Sequence, residues 1–143
     1  MMKTPTFGQL ITAATFALAS VAALAAPAPT SPEDVIRAYA DAASRHDVDA
    51  LLALYAPDVH KFTFPATSTS NGREVQREKY LKNFATNPDL KVKILDLRTL
   101  GDKVVSHDLV TGLASGKTSE ELTVYRVEQG LITDIVYVER ELH

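Results

Sequence analysis

The sequence predicts an α+β layer domain, with helices first and an antiparallel sheet after them. Three observations carry this. Ser31-Pro32-Glu33-Asp34 and Asp47 each stand ahead of apolar residues at helical spacing. Tyr55-Ala56-Pro57-Asp58 then leads into an extended aromatic run, His60-Lys61-Phe62-Thr63-Phe64-Pro65. Beyond Leu90, β-branched runs are divided by turn signals at Gly101, Gly116 and Gly130. Helices followed by a meander place the helices over one face of the sheet.

Each element has its own signal. In the first helix Ser31 is the N-cap, Pro32 takes the first helical position, and Glu33 and Asp34 face the positive end of the dipole. Val35, Ile36, Tyr39, Ala42 and Ala43 then form one apolar face. Asp47 caps a second helix over 48–55, whose core contacts are Leu51, Leu52, Leu54 and Tyr55. Pro57 cannot continue it, having no N–H and clashing with the preceding turn. The aromatic run is the first strand, and 67–72 reads as a polar, turn-rich loop. A third helix spans 73–84, anchored by Val75, Tyr80, Leu81 and Phe84 and stopped by Asn87-Pro88. Strands follow over 91–100, 103–115, 118–128 and 131–142.

Residues 1–25 stand apart. Lys3 precedes an apolar or small-residue run from Leu10 to Leu24, and Ala23-Leu24-Ala25 is an A-x-A cleavage pattern, the anatomy of a secretory signal peptide. A membrane anchor needs about 20 strongly apolar residues, and this run is shorter and diluted by Ala, Ser and Thr. The expectation is an exported protein, periplasmic or secreted, cleaved after about Ala25 and with no membrane partner thereafter. Residues 26–143 fit one domain. Removing Lys3 leaves 14 basic and 18 acidic side chains, a net charge of −4, with no basic block to track phosphates; nucleic acid is not an expected partner. There is no Cys, hence no disulfide, thiolate metal site or Cys nucleophile. His46, His60 and His143 lack metal-site spacing, so no metal or cofactor is expected.

The order of these elements, with Tyr39 in the first helix and Tyr55-Ala56 at the end of the second, resembles the NTF2-like superfamily, in the branch of SnoaL-like proteins and ketosteroid isomerases. The resemblance implies a cone: three helices packed on a curved antiparallel, mixed-edge sheet that encloses a pocket for a small apolar molecule. Tyr39 falls at the position of the isomerases' catalytic tyrosine, which donates a hydrogen bond to an enolate oxygen. Their general-base aspartate aligns with Thr63, and the protonated aspartate of their oxyanion hole with Thr123. A positioned base contributes about 10²–10⁴-fold, and a Thr hydroxyl cannot replace it, so ketosteroid isomerisation is not the expected activity.

With Thr123 inward, the same alignment turns Tyr125 and Val127 in and Arg126 and Glu128 out. It turns Ile135, Tyr137 and Glu139 in, and Asp134, Val136 and Val138 out. Val105, His107 and Leu109 are assigned to the inner face of their strand. A slip of one residue reverses such assignments. The expected pocket is therefore Tyr39, Thr63, Thr123, Tyr125, Ile135 and Tyr137. Its three phenols form either a belt around a ligand or core aromatics with satisfied hydroxyls. His107 is a candidate acid or base, or a structural His held by Asp108 or the backbone. Glu139 is a candidate base, or a rim residue paired with Arg140 or Arg126. Outward Val104, Val110, Val124, Val136 and Val138 would give the convex face an apolar stripe, and such a stripe marks an interface, here a homodimer by resemblance.

Three functions follow: a pocket that binds a small apolar ligand; a cofactor-independent isomerase, dehydratase or hydrolase using Tyr39 with His107 or Glu139; or a protein-interaction domain that uses the convex face.

Overall fold

In a computed structural model, which describes residues 31–65 and 67–143, helix α1 (Pro32–Ser44) opens on a reciprocal capping box: the Ser31 hydroxyl accepts from the Asp34 amide, and the Asp34 carboxylate accepts from the Ser31 amide. Its buried face is Val35, Ile36, Ala40, Ala42 and Ala43. Asp47 caps α2 (Val48–Ala53) through the Ala50 amide at 3.0 Å. That helix is shorter than the sequence suggests, because Tyr55 already belongs to strand β1 (Tyr55–Thr63). The segment expected as a loop is strand β2 (Thr67–Asn71), paired antiparallel to β1. Helix α3 (Arg73–Thr86) buries Gln76 and Phe84, while Val75 and Leu81 are exposed. The signal-peptide segment lies outside the described residues.

Strands β3 (Lys91–Leu100), β4 (Lys103–Thr111), β5 (Ser119–Glu128) and β6 (Leu131–Leu142) form the expected meander. The sheet order is β2-β1-β6-β5-β4-β3, antiparallel except for the parallel β1–β6 pair. The six strands curve without closing, and the helices pack against the concave side. The core between them is built from Ile36, Leu51, Leu52, Tyr55, Val59, Val104, Ile132 and Ile135, all fully buried.

Register fixes what faces that concave side. Thr123 is buried, as are Tyr125 and Val127, so β5 lies as expected. Ser106 stands opposite Thr123 and Val104 opposite Tyr125, and directly paired residues share a face. Val104, Ser106, Asp108 and Val110 therefore point inward, and Val105, His107 and Leu109 point outward. This corrects the assignment of β4, including the placing of Val104 and Val110 in the convex stripe. On β6, Ile135 and Tyr137 face in, but the ladder slips after Tyr137: Thr123 pairs with Tyr137 and Leu122 with Glu139, leaving Val138 as a bulge. Glu139 is thus carried to the Leu122 side and is exposed. Across the convex face, Phe62, Val136, Val124 and Val105 stand in one cross-strand row.

Candidate functional site

Between α1, α3 and the concave sheet lies an open cavity of about 940 Å³. Its apolar wall includes Ala43 of α1, Phe84 of α3, Val92 of β3 and Val110 of β4, with Leu90 and Leu113 from the segments just before β3 and just after β4. Gly112 lets the end of β4 close against the start of β3: it has φ of 72°, and a Cβ there would meet the Asp89 carbonyl oxygen at 1.9 Å. Thr63, Phe64 and Lys79 are exposed parts of the wall.

One side of the cavity is a phenol cluster around a lysine. The Tyr80 hydroxyl lies 2.9 Å from that of Tyr39 and 2.5 Å from that of Tyr55, and it accepts from Lys61 Nζ at 3.0 Å. Lys61 also donates to the Tyr137 hydroxyl at 3.5 Å. Its Nζ sits 4.8 Å from the ring centroid of Tyr80, 5.3 Å from that of Tyr55 and 5.9 Å from that of Tyr137, within the range where a cation is drawn to a ring face. Lys61 is 6% exposed. Among the described residues no carboxylate pairs with it, and burial, with the nearby Lys79 ammonium, lowers its pKa to about 7. Burial likewise pushes the phenols of Tyr39, Tyr55, Tyr80, Tyr125 and Tyr137 upward, so they stay protonated at neutral pH.

The cavity also has carboxylates. Asp108 accepts from the Ser106 hydroxyl at 2.6 Å, and burial, with Glu121 adding to it, raises its carboxyl above the usual range. Glu121 accepts from Ser119 Oγ at 2.9 Å and pairs with Arg140 at 2.9 Å.

Of the residues expected from the sequence, Tyr39, Thr63, Tyr125 and Tyr137 line this cavity. Thr123 and Ile135 face inward but are packed into the core rather than the cavity wall. His107 lies on the opposite face of the sheet, 2.6 Å from Glu120, and cannot share a reacting atom with Tyr39. Glu139 reaches only the rim, where its carboxylate accepts from the Arg140 amide at 3.2 Å. Lys61, Asp108 and Glu121 are site residues that the sequence reading does not find, and Tyr80 is found there only as a helix anchor. Period-two alternation back from Thr63 is the signal that would have placed Lys61 inside.

A family model described as SnoaL-like domain matches residues 36–135. No curated protein matches the sequence. Among solved structures, an uncharacterized cystatin fold protein from Novosphingobium aromaticivorans is 20% identical with a TM-score of 0.70, over 77% of this chain and 99% of its own. Wild-type IdmH from Streptomyces antibioticus, described as a candidate polyketide cyclase, is 21% identical with a TM-score of 0.68, over 78% of this chain and 93% of its own. A computationally designed 17-OHP binder is 20% identical with a TM-score of 0.67, over 80% of this chain and all of its own. At these identities the likeness is one of fold.

Proposed function

The chain belongs to the SnoaL-like domain family, and from that premise we propose that it is an exported protein that binds a small, mainly apolar organic molecule. The open cavity carries this reading. A domain built only for protein interaction would fill that space with its own side chains, because packed interiors leave few voids larger than a water molecule. Here rings, aliphatic side chains and phenols, with Lys61, Asp108 and Glu121 among them, line about 940 Å³, within the size range of ligand sites. The designed 17-OHP binder supports the reading by analogy, as a related fold used for small-molecule binding. Binding is favoured over catalysis because the expected acid–base partners do not assemble around Tyr39: His107 is held by Glu120 on the convex face, and Glu139 is at the rim.

Calorimetric titration with a neutral aromatic probe, naphthalene-2-carboxamide, tests the reading. The wild type should bind it. Val92→Trp, which fills the cavity from β3, should abolish binding while leaving the far-UV circular dichroism unchanged. Equal binding by both proteins would place the probe elsewhere and sink the reading. Export is tested by intact mass of the secreted or periplasmic species, which should begin at Ala26. The proposal extends to pairing of two copies through the Phe62–Val136–Val124–Val105 row on the convex face. Sedimentation should then show a dimer that Val124→Glu converts to monomer; a wild type that stays monomeric excludes it.

A further inference from the structure

We propose that Lys61 is an anion anchor, and that the molecule this cavity takes is an apolar one ending in an ionised oxygen acid, as an aromatic carboxylate does. The inference rests on the reading of the cavity as a ligand site. An ammonium has three N–H donors. Two point at the hydroxyls of Tyr80 and Tyr137, and the third has no acceptor among the described residues. Tyr80 has no spare capacity, since a hydroxyl donates once and accepts twice and its three neighbours are Tyr39, Tyr55 and Lys61.

A buried cation without a counter-charge is unfavourable, and such groups are ordinarily paired. The groups packed around Lys61 supply none. Helix α3 presents Tyr80 and the like-charged Lys79, β6 presents Tyr137, and β1 itself presents Tyr55. Strand β2 has no ionisable residue, and Asp49 of α2 is engaged by Arg77 at 2.6 Å. The cavity's other cations are poorer anchors: Arg140 is already held by Glu121, and Lys79 is exposed. The rings of Tyr80 and Tyr137, which line the cavity beside Lys61, complete a site where a flat, apolar acid stacks while its carboxylate reaches the amine.

The test uses naphthalene-2-carboxylate and its neutral isostere naphthalene-2-carboxamide, titrated calorimetrically into the wild type and Lys61→Met at pH 6 and pH 9. Both pH values lie above the probe's own ionisation, so any pH dependence belongs to the protein. The wild type at pH 6 should bind the carboxylate about tenfold more tightly than the carboxamide, as expected for one charge-assisted hydrogen bond. That preference should shrink at pH 9, and Lys61→Met should lose it while still binding the carboxamide. Should Lys61→Met fail to fold, the wild type decides alone. At pH 8, titrations in two buffers of different ionisation enthalpy should reveal proton uptake with the carboxylate and none with the carboxamide. Equal affinity for the two probes, absence of proton uptake, or a preference that survives Lys61→Met overturns the anchor while leaving the cavity as a ligand site. Failure of both probes to bind the wild type overturns the ligand-site reading and the anchor with it.

Discussion

Tyr80 and Tyr39 illustrate how unequal two phenols of one cluster are. Tyr80 joins Tyr39, Tyr55 and Lys61, so Tyr80→Phe leaves two buried groups, the Tyr55 hydroxyl and the Lys61 ammonium, short of a partner, along with the half-buried Tyr39 hydroxyl. An unsatisfied buried polar group costs about 1–3 kcal/mol, and two are affected here. Tyr80→Phe should therefore destabilise by about 2–4 kcal/mol, read by urea denaturation. Tyr39→Phe removes one hydrogen bond at the periphery of the network and should cost about 1 kcal/mol. Equal losses would mean that the hydroxyls do not act as a network. Tyr39 was legible in the sequence from its family position, and Tyr80 as an anchor of its helix though not as a member of the site. Lys61 was not, because a lysine between His60 and Phe62 reads as a solvated residue. Burial of such a side chain is set by partners on α3 and β6 that are remote in sequence.

Whole elements were legible where a local signal exists. The α1 cap is one, since Ser31, Pro32 and Asp34 state the helix start outright; Ser31→Ala should cost about 1 kcal/mol by the same denaturation assay. Strand β4 was legible as a strand but not in its facing. Val104-Val105-Ser106-His107-Asp108-Leu109-Val110 has apolar and polar residues on both faces, so period two gives no preferred side. The pairing across the Gly116 turn, Ser106 to Thr123, makes the choice, and it moves Asp108 into the cavity and His107 out of it. The bulge at Val138 has no local signal either. Strand β2, Thr-Ser-Thr-Ser-Asn, has no apolar face and is a strand only through pairing with β1. Gly112 marks where β4 meets the residues before β3. An alanine there would carry a left-handed φ and drive its Cβ into the Asp89 carbonyl. Gly112→Ala should lower stability by at least about 2 kcal/mol, with loss of probe binding, because Leu90 and Leu113 beside it line the cavity.

For the molecule as a whole, the buried lysine sets a pH dependence opposite to that of an ion-paired lysine, whose raised pKa makes stability fall as pH rises. Unfolded, Lys61 titrates near 10.5; folded, near 7. A depressed folded pKa on a base means that the unfolded chain binds more protons between those values, so stability rises with pH across that window. The gain is at most about 1.4 kcal/mol per pH unit. Below pH 7 the full cost of the buried ammonium is present; above it that cost is progressively relieved. Asp108, whose carboxyl is raised from 3.8, acts in the other sense at more acid pH, because there the folded state holds the extra proton. Melting temperature should therefore climb between pH 6.5 and pH 9 in the wild type. Lys61→Met, which keeps the apolar stem and removes the charge, should melt higher than the wild type at pH 6.5 and show no climb. A saturating aromatic carboxylate should cancel the climb in the wild type by stabilising the ammonium form, adding stability that grows with its concentration over Kd. A wild type whose melting temperature stays flat or falls over this window, with Lys61→Met following it in parallel, would mean that Lys61 carries its charge at no cost, and the cavity would then have no unpaired cation to offer a ligand.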